Sequence, residues 1–134
     1  MFEIDKNLKN DCIFIKKLDK SQLLLMNNSN FKWLVLVPEI TNAVELTDLE
    51  FSEQIDILNE INIVAKILQN RFNPTKINIA TLGNIVKQLH IHIIARFEND
   101  IAFPKPVWGF ESKKYQPTEA QYLIEEIKND LKFK

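Results

Sequence analysis

The sequence predicts an α+β fold, a five-stranded antiparallel sheet with one long central helix and a C-terminal helix. Three observations carry that expectation. Residues 12–38 contain three short, apolar, β-rich runs separated by polar turns. The apolar spacing then lengthens to a helical repeat that persists to Phe72. Two more short runs follow, and a second helical repeat closes the chain.

Taken in order, "CIFIKKL" (Cys12–Leu18), "QLLLMN" (Gln22–Asn27) and "WLVLVP" (Trp33–Pro38) read as strands. "LDKS" and "NSNFK" are polar enough for tight antiparallel turns. Pro38 ends the third strand, because it has no N–H for the ladder. Thr47 and Glu50 form a capping-box pattern before a helix with Phe51, Ile55, Leu58, Ile61, Ala65, Leu68 and Phe72 expected inward. Pro74 stops it. "KINIA" (Lys76–Ala80) is the fourth strand, "TLGN" a turn, and "QLHIHIIAR" (Gln88–Arg96) the fifth. "FPKPVWG" is too rich in proline for regular structure. Thr118 and Gln121 are expected to cap the last helix, with Ala120, Leu123, Ile124, Ile127 and Leu131 inward.

The 134 residues fit one domain, 1–134, with no internal repeat or linker. Lys and Arg number 17 against 18 Asp and Glu, so no broad field attracts nucleic acid or an anionic membrane. Phosphate recognition would have to be local. No apolar run is long enough to cross a bilayer, and "MFEIDKNLKN" does not read as a secretory signal. The single cysteine, Cys12, cannot form an internal disulfide and reads as a small buried hydrophobe. A cytoplasmic setting is the expectation.

Both histidines of the chain, His90 and His92, lie in the fifth run, two residues after Gln88. Side chains alternate along a strand, so Leu89, Ile91, Ile93 and Ala95 share the face expected under the helix. Gln88, His90 and His92 share the other, with neighbours about 6.5–7 Å apart. A polar row opposite an apolar row places the second face against water or a pocket. Three readings are open: a solvated face, a metal pair, or phosphate chemistry. Two imidazoles at this spacing can bind one metal ion, but a third ligand would have to come from Glu98, Asp100 or a distant carboxylate. In the phosphate reading one imidazole attacks phosphorus and the next donates to an oxygen.

The stretch "NIATLGNIVKQLHIHIIAR" resembles the signature of the histidine triad (HIT) family, three histidines alternating with apolar residues after a Gly-polar turn. Strand order, the long helix and the "LLLMNNSNFKWLVLVPEI" hairpin are also similar to that family, so the resemblance covers most of the chain. It implies a HIT-like fold and a hydrolase or nucleotidyl transferase acting on a phosphoramidate or phosphoanhydride bond of a nucleotide conjugate, a dinucleoside polyphosphate among the candidates. His90 matches the nucleophile that carries the nucleotidyl group, and His92 the third triad histidine. Gln88 stands where the first histidine usually stands, and it can donate a hydrogen bond but not carry a proton near neutrality. Ile85 replaces a hydroxyl-bearing residue near the leaving group. Gly83 and Asn84 resemble the phosphate-binding turn, Asn78 a position near the phosphates, and Asn27 the residue that binds ribose hydroxyls. The resemblance further implies a small-molecule nucleotide partner, adenine favoured, a homodimer, and no metal or other cofactor. An ordinary imidazole is largely neutral above about pH 6.5, so attack requires no large pKa shift, only an acceptor, expected to be a main-chain carbonyl, to set the tautomer. Trp108 is expected to close the site, pack at an interface or join the core. The alternative function is a nucleotide-binding or interaction module with little or no turnover, since Gln88 and Ile85 both remove chemistry.

Overall fold

The computed structural model describes residues 1–133. Five strands, β1 (Cys12–Lys17), β2 (Ser21–Met26), β3 (Lys32–Pro38), β4 (Lys76–Ala80) and β5 (Ile91–Arg96), form one sheet in the order β1-β2-β3-β5-β4. Every pairing is antiparallel. The hairpins put β1, β2 and β3 side by side, and β5 lies between β3 and β4. The strand bearing His92 is therefore interior, held by main-chain ladders on both sides. The α+β fold expected from the sequence is the one present.

The long helix α2 spans Phe51–Phe72 and ends in a left-handed residue, Asn73, before Pro74. Its buried stripe is Ile57, Glu60, Ile61, Val64, Ile67 and Leu68. This corrects the expected face: Phe51, Ile55 and Leu58 are exposed, at 75%, 45% and 55%. At about 100° per residue the two stripes differ by roughly a quarter turn. The disguise is Glu60, a charged residue within the buried stripe, whose Oε2 accepts from the main-chain N–H of Lys20 at 2.9 Å in the β1–β2 turn. The caps also differ from expectation. Glu45 and Asp48 cap a single 3-10 turn, Leu46–Asp48, and Glu50 with Glu53 caps α2.

The C-terminal helix α3 (Pro117–Leu131) starts with Pro117 at its first turn after Gln116, not with a Thr118–Gln121 box. Gln121 donates to Glu125 one turn on instead. Ala120, Leu123, Ile124 and Ile127 are buried as expected. Arg71 of α2 pairs with Asp130 (2.7 Å) and Glu126 of α3, tying the two helices together. With one sheet face they enclose the main core, which includes Leu89, Ile91, Ile93 and Ala95.

A short helix not anticipated, α1 (Lys6–Asp11), precedes β1, and Asp5 caps it by accepting from Asn7 N–H. With residues near Ala102–Trp108 it covers the opposite face of the sheet. There Ile4, Leu8, Trp33, Val35, Ile94, Ala102 and Val107 make a second core. Among the described residues no helix is long and apolar enough to cross a membrane.

Candidate active site

β5 begins at Ile91, so Gln88, Leu89 and His90 precede the strand and belong to an irregular connection from β4. The reason is register: β4 ends at Ala80, opposite His92, and beyond that point β5 has no partner on that side. Leu89 N–H instead bonds to Ala43 O at 2.9 Å, which continues the alternation without a ladder. Leu89 and Ile91 thus still enter the main core, and His90 and His92 still share the other face.

That face is not open to water along its length. His90 and His92 are each only 5% exposed, because the second core is built around them. Their rings meet edge to face with centroids 4.9 Å apart. His90 Nδ1 lies 2.7 Å from the main-chain O of Gln88. A carbonyl only accepts, so this contact assigns the proton to Nδ1 and leaves the Nε2 lone pair of a neutral ring free. On His92, Nδ1 lies 3.0 Å from Trp33 Nε1. Burial, then the adjacent His90, push the His92 imidazole down to about 4.

The Gln88 amide reaches the N-terminal segment. Its Nε2 donates to Glu3 O and its Oε1 accepts from Asp5 N–H, both at 2.8 Å. These bonds span 83 and 85 residues of sequence and draw the segment before α1 onto the histidine face. One Nε2 hydrogen is left for any other acceptor. Among the described residues no set of three His, Cys, Asp or Glu could hold a metal ion. Asp100, a third ligand in the metal reading, is turned to Arg96 instead.

The remaining expected site residues are distributed unevenly. Asn78 shares the histidine face through its register partner Ile94, and its Oδ1 accepts from Arg96 at 2.9 Å. Arg96 is 2% exposed and also donates twice to Asp100 and once to Lys105 O. Asp100 accepts in turn from the N–H groups of Phe97, Ala102 and Phe103. Burial alone would raise the Asp100 carboxyl, but Arg96 and the main-chain donors outweigh it and bring it down to about 2. This network, which periodicity could not announce, secures the segment that carries Trp108. Gly83 has φ +68°, a conformation rather than a lack of space that selects glycine, since an added Cβ would meet only Val86 O at 3.5 Å. Asn84 is exposed, and Ile85 is 89% exposed.

Asn27 lines a cleft of about 540 Å³ with Met26, Trp33, Trp108, Phe110 and Lys114. Its Oδ1 accepts from Tyr115 N–H at 2.9 Å, leaving the amide NH₂ to donate. Trp33 and Trp108 join the cleft to the histidines: their rings lie 5.6 and 5.1 Å from that of His92. Neither histidine lines this cleft itself, and another cleft, of about 370 Å³ at the β1–β2 turn, lacks the two tryptophans as well. From sequence alone Trp33 is a strand residue with no further role. An aromatic at the start of β3 was the available signal, but nothing local points it at His92.

A family model described as the HIT domain matches residues 7–99. A histidine triad protein from Bradyrhizobium japonicum is 39% identical, with a TM-score of 0.94 over 96% of this chain and 97% of that one. A histidine triad protein from Marinobacter aquaeolei VT8 is 30% identical, with a TM-score of 0.95 over 98% and 97%. The diadenosine triphosphate hydrolase of Plasmodium falciparum, solved in complex with cyclomarin A, is 25% identical, with a TM-score of 0.69 over 100% and 82%. No match is found among the curated proteins. With a domain match over most of its length and near-complete superposition on its relatives, the chain belongs to the histidine triad family.

Proposed function

We propose that the chain hydrolyses, or transfers the nucleotidyl group from, a phosphoramidate or phosphoanhydride bond of a nucleotide conjugate. The observation that carries this reading is the His90 Nδ1–Gln88 O contact at 2.7 Å, which leaves Nε2 as an oriented lone pair beside a neutral His92. In the first step Nε2 attacks phosphorus, an N–P bond forms, and the leaving group departs with the electrons of its bond to phosphorus. In the second, water attacks phosphorus and yields a proton to solvent, matching the one the leaving group takes up from it, while the N–P bond breaks and its electron pair returns to Nε2. His92 donates to a non-bridging oxygen in both steps; loss of such a donor typically costs about 10²–10³-fold. The Asn27 amide meets the ribose hydroxyls. An adenine base occupies the cleft of about 540 Å³ against Trp33 and Trp108, a choice also favoured by the name of the Plasmodium relative. Gly83, Asn84 and the remaining hydrogen of Gln88 Nε2 serve the phosphates. Asn78 acts from behind, through Arg96.

The test is incubation with nucleoside phosphoramidates and dinucleoside polyphosphates, followed by intact mass. A nucleotidyl adduct in the wild type that is absent from His90→Ala is expected. Turnover by a folded His90→Ala protein would sink the covalent mechanism. The second reading, a nucleotide-binding module without turnover, is favoured by one observation: the amide of Gln88 is largely spent on the chain's own backbone. Saturable AMP binding with no adduct and no product would select it.

The homodimer expected of the family is part of the proposal. Its support is that β4 is an edge strand with Ile79 51% exposed, and that Phe51, Ile55 and Leu58 stand out from α2. Light scattering at micromolar concentration should give twice the chain mass. A reducing, cytoplasmic setting accords with the free Cys12.

A further inference from the structure

The indole nitrogen of Trp33 lies 3.0 Å from Nδ1 of His92, with both groups buried and 59 residues apart in sequence. An indole N–H can only donate. Nδ1 must therefore present a lone pair, and the single proton of the neutral ring must sit on Nε2. His90 is in the opposite state, protonated on Nδ1 by its contact with Gln88 O. Two imidazoles two residues apart are thus set in complementary tautomers, one offering a lone pair and its neighbour offering a proton.

We infer that Trp33 is a positioning residue for the proposed reaction, holding His92 as a neutral Nε2–H donor toward the phosphoryl oxygens. The inference rests on the functional reading above. It names a residue for which neither the triad pattern nor the spacing of the histidines supplies a role.

The surroundings leave Trp33 as the group that decides. His92 lies opposite Val35 on β3 and Ala80 on β4, neither of which can hydrogen-bond through its side chain. The rings against it are Trp33, Trp108 and His90, of which only His90 is an ionisable type. Asp11 and Lys114 stand further out along the cleft. A second proton on Nδ1 would face the indole N–H directly, so the same contact that sets the tautomer opposes the cation. Burial and the neighbouring His90 act in the same direction and lower the His92 pKa to about 4. Trp33 is also fixed in direction, because Phe31 and Trp108 pack edge to face against it at 6.2 and 5.6 Å.

The experiment uses the full chain labelled with ¹⁵N, and reads the ring nitrogens of its two histidines by long-range ¹H–¹⁵N correlation near neutral pH, with His90→Gln to assign them. In the wild type His92 should show a pyridine-like Nδ1 and a pyrrole-like Nε2, unchanged well below pH 6. In Trp33→Phe the Nδ1 donor is gone, and a second tautomer, with the proton on Nδ1, should appear near neutral pH. On a substrate that the wild type turns over, kcat should then fall about tenfold, less than the 10²–10³-fold of outright donor loss. Because Trp33→Phe also removes packing, 3-benzothienylalanine placed at position 33 gives a ring of nearly the same shape without the N–H. It should reproduce the change at His92 and in kcat with KM close to wild type. A wild-type His92 protonated on Nδ1 would overturn the inference, even in an active enzyme. So would a benzothienyl protein whose His92 and kcat both match wild type. A wild type inactive on every substrate yet showing the Nε2–H tautomer, lost in both variants, would refute the hydrolase reading and leave the role of Trp33 in setting that tautomer standing.

Discussion

Alanine in place of Gln88 removes two hydrogen bonds to main-chain groups on either side of Ile4, a residue only 8% exposed in the second core. Net contributions of about 0.5–1.5 kcal/mol per bond put the loss at roughly 1–3 kcal/mol. For a chain between the small and mid-sized classes, each kcal/mol moves the midpoint by about 3–5 °C, so Tm should fall by roughly 3–15 °C. The loss should be local in origin. The segment before α1 is held by few other polar contacts, so limited proteolysis should cut near residues 1–8 sooner in the variant than in the wild type. Activity should fall as well, because Gln88 contributes its main-chain carbonyl to His90, and loosening the segment frees that carbonyl to move. A drop of about tenfold in kcat/KM corresponds to only 1.4 kcal/mol of misplaced transition-state stabilisation. The assay pairs a thermal melt with kcat/KM on the best substrate from the panel. An Ala variant that melts and resists protease as the wild type does would refute the idea that Gln88 pins the N-terminal segment. A loss of several hundredfold with an unchanged melt would mean that the amide serves the phosphate oxygens alone and does not pin the segment.

Other perturbations test the remaining parts of the structure. Ile91 is 2% exposed in the core beneath α2, so Ile91→Ala should cost about 2–5 kcal/mol in denaturant titration; an unchanged midpoint with an unchanged m-value would mean that the faces of β5 are assigned backwards. Asp100 has its carboxyl lowered from 3.8 to about 2, so the unfolded chain binds the proton first as pH falls. Its stabilisation, roughly 2 kcal/mol, should be complete above pH 4 and disappear on descending toward pH 2. Asp100→Asn should flatten that limb of the stability profile, and a profile of wild-type shape in the variant would remove Asp100 from the account. Cys12 is half-buried and lies next to Asp11, and its burial, then the Asp11 charge, push its thiol up to about 12. Iodoacetamide at pH 8 should therefore label the native protein far more slowly than the denatured one, a difference read by intact mass.

The strands, both long helices and the two faces of β5 were legible in the sequence because each depends on residues a few positions apart. Period 2 placed Leu89, Ile91, Ile93 and Ala95 together, and the ladder to Leu34 and Leu36 agrees with that face. The triad-like motif made the family legible for the same reason, since its residues are contiguous. The tertiary structure alone decided which stripe of α2 is buried. Hydrophobic spacing favoured Phe51, Ile55 and Leu58, but the main-chain N–H of Lys20 needed an acceptor, and Glu60 supplies it from within the core. The tertiary structure also decided what lies over the histidines. Alternation says which side chains share a face but not what covers it, and here the covering comes from the N-terminal segment and the loop around Trp108. The contacts that set each imidazole differ in the same way. Gln88 O is two residues from His90 and belongs to local geometry, whereas Trp33 reaches His92 across 59 residues. Gln88 reaches Glu3 across 85, and no local pattern encodes a partner at that separation. The sequence by itself determined the five strands, the two long helices, the family and the polar row. Packing of distant segments determined burial, tautomer and the walls of the cleft, because those depend on which surfaces meet once the sheet has closed.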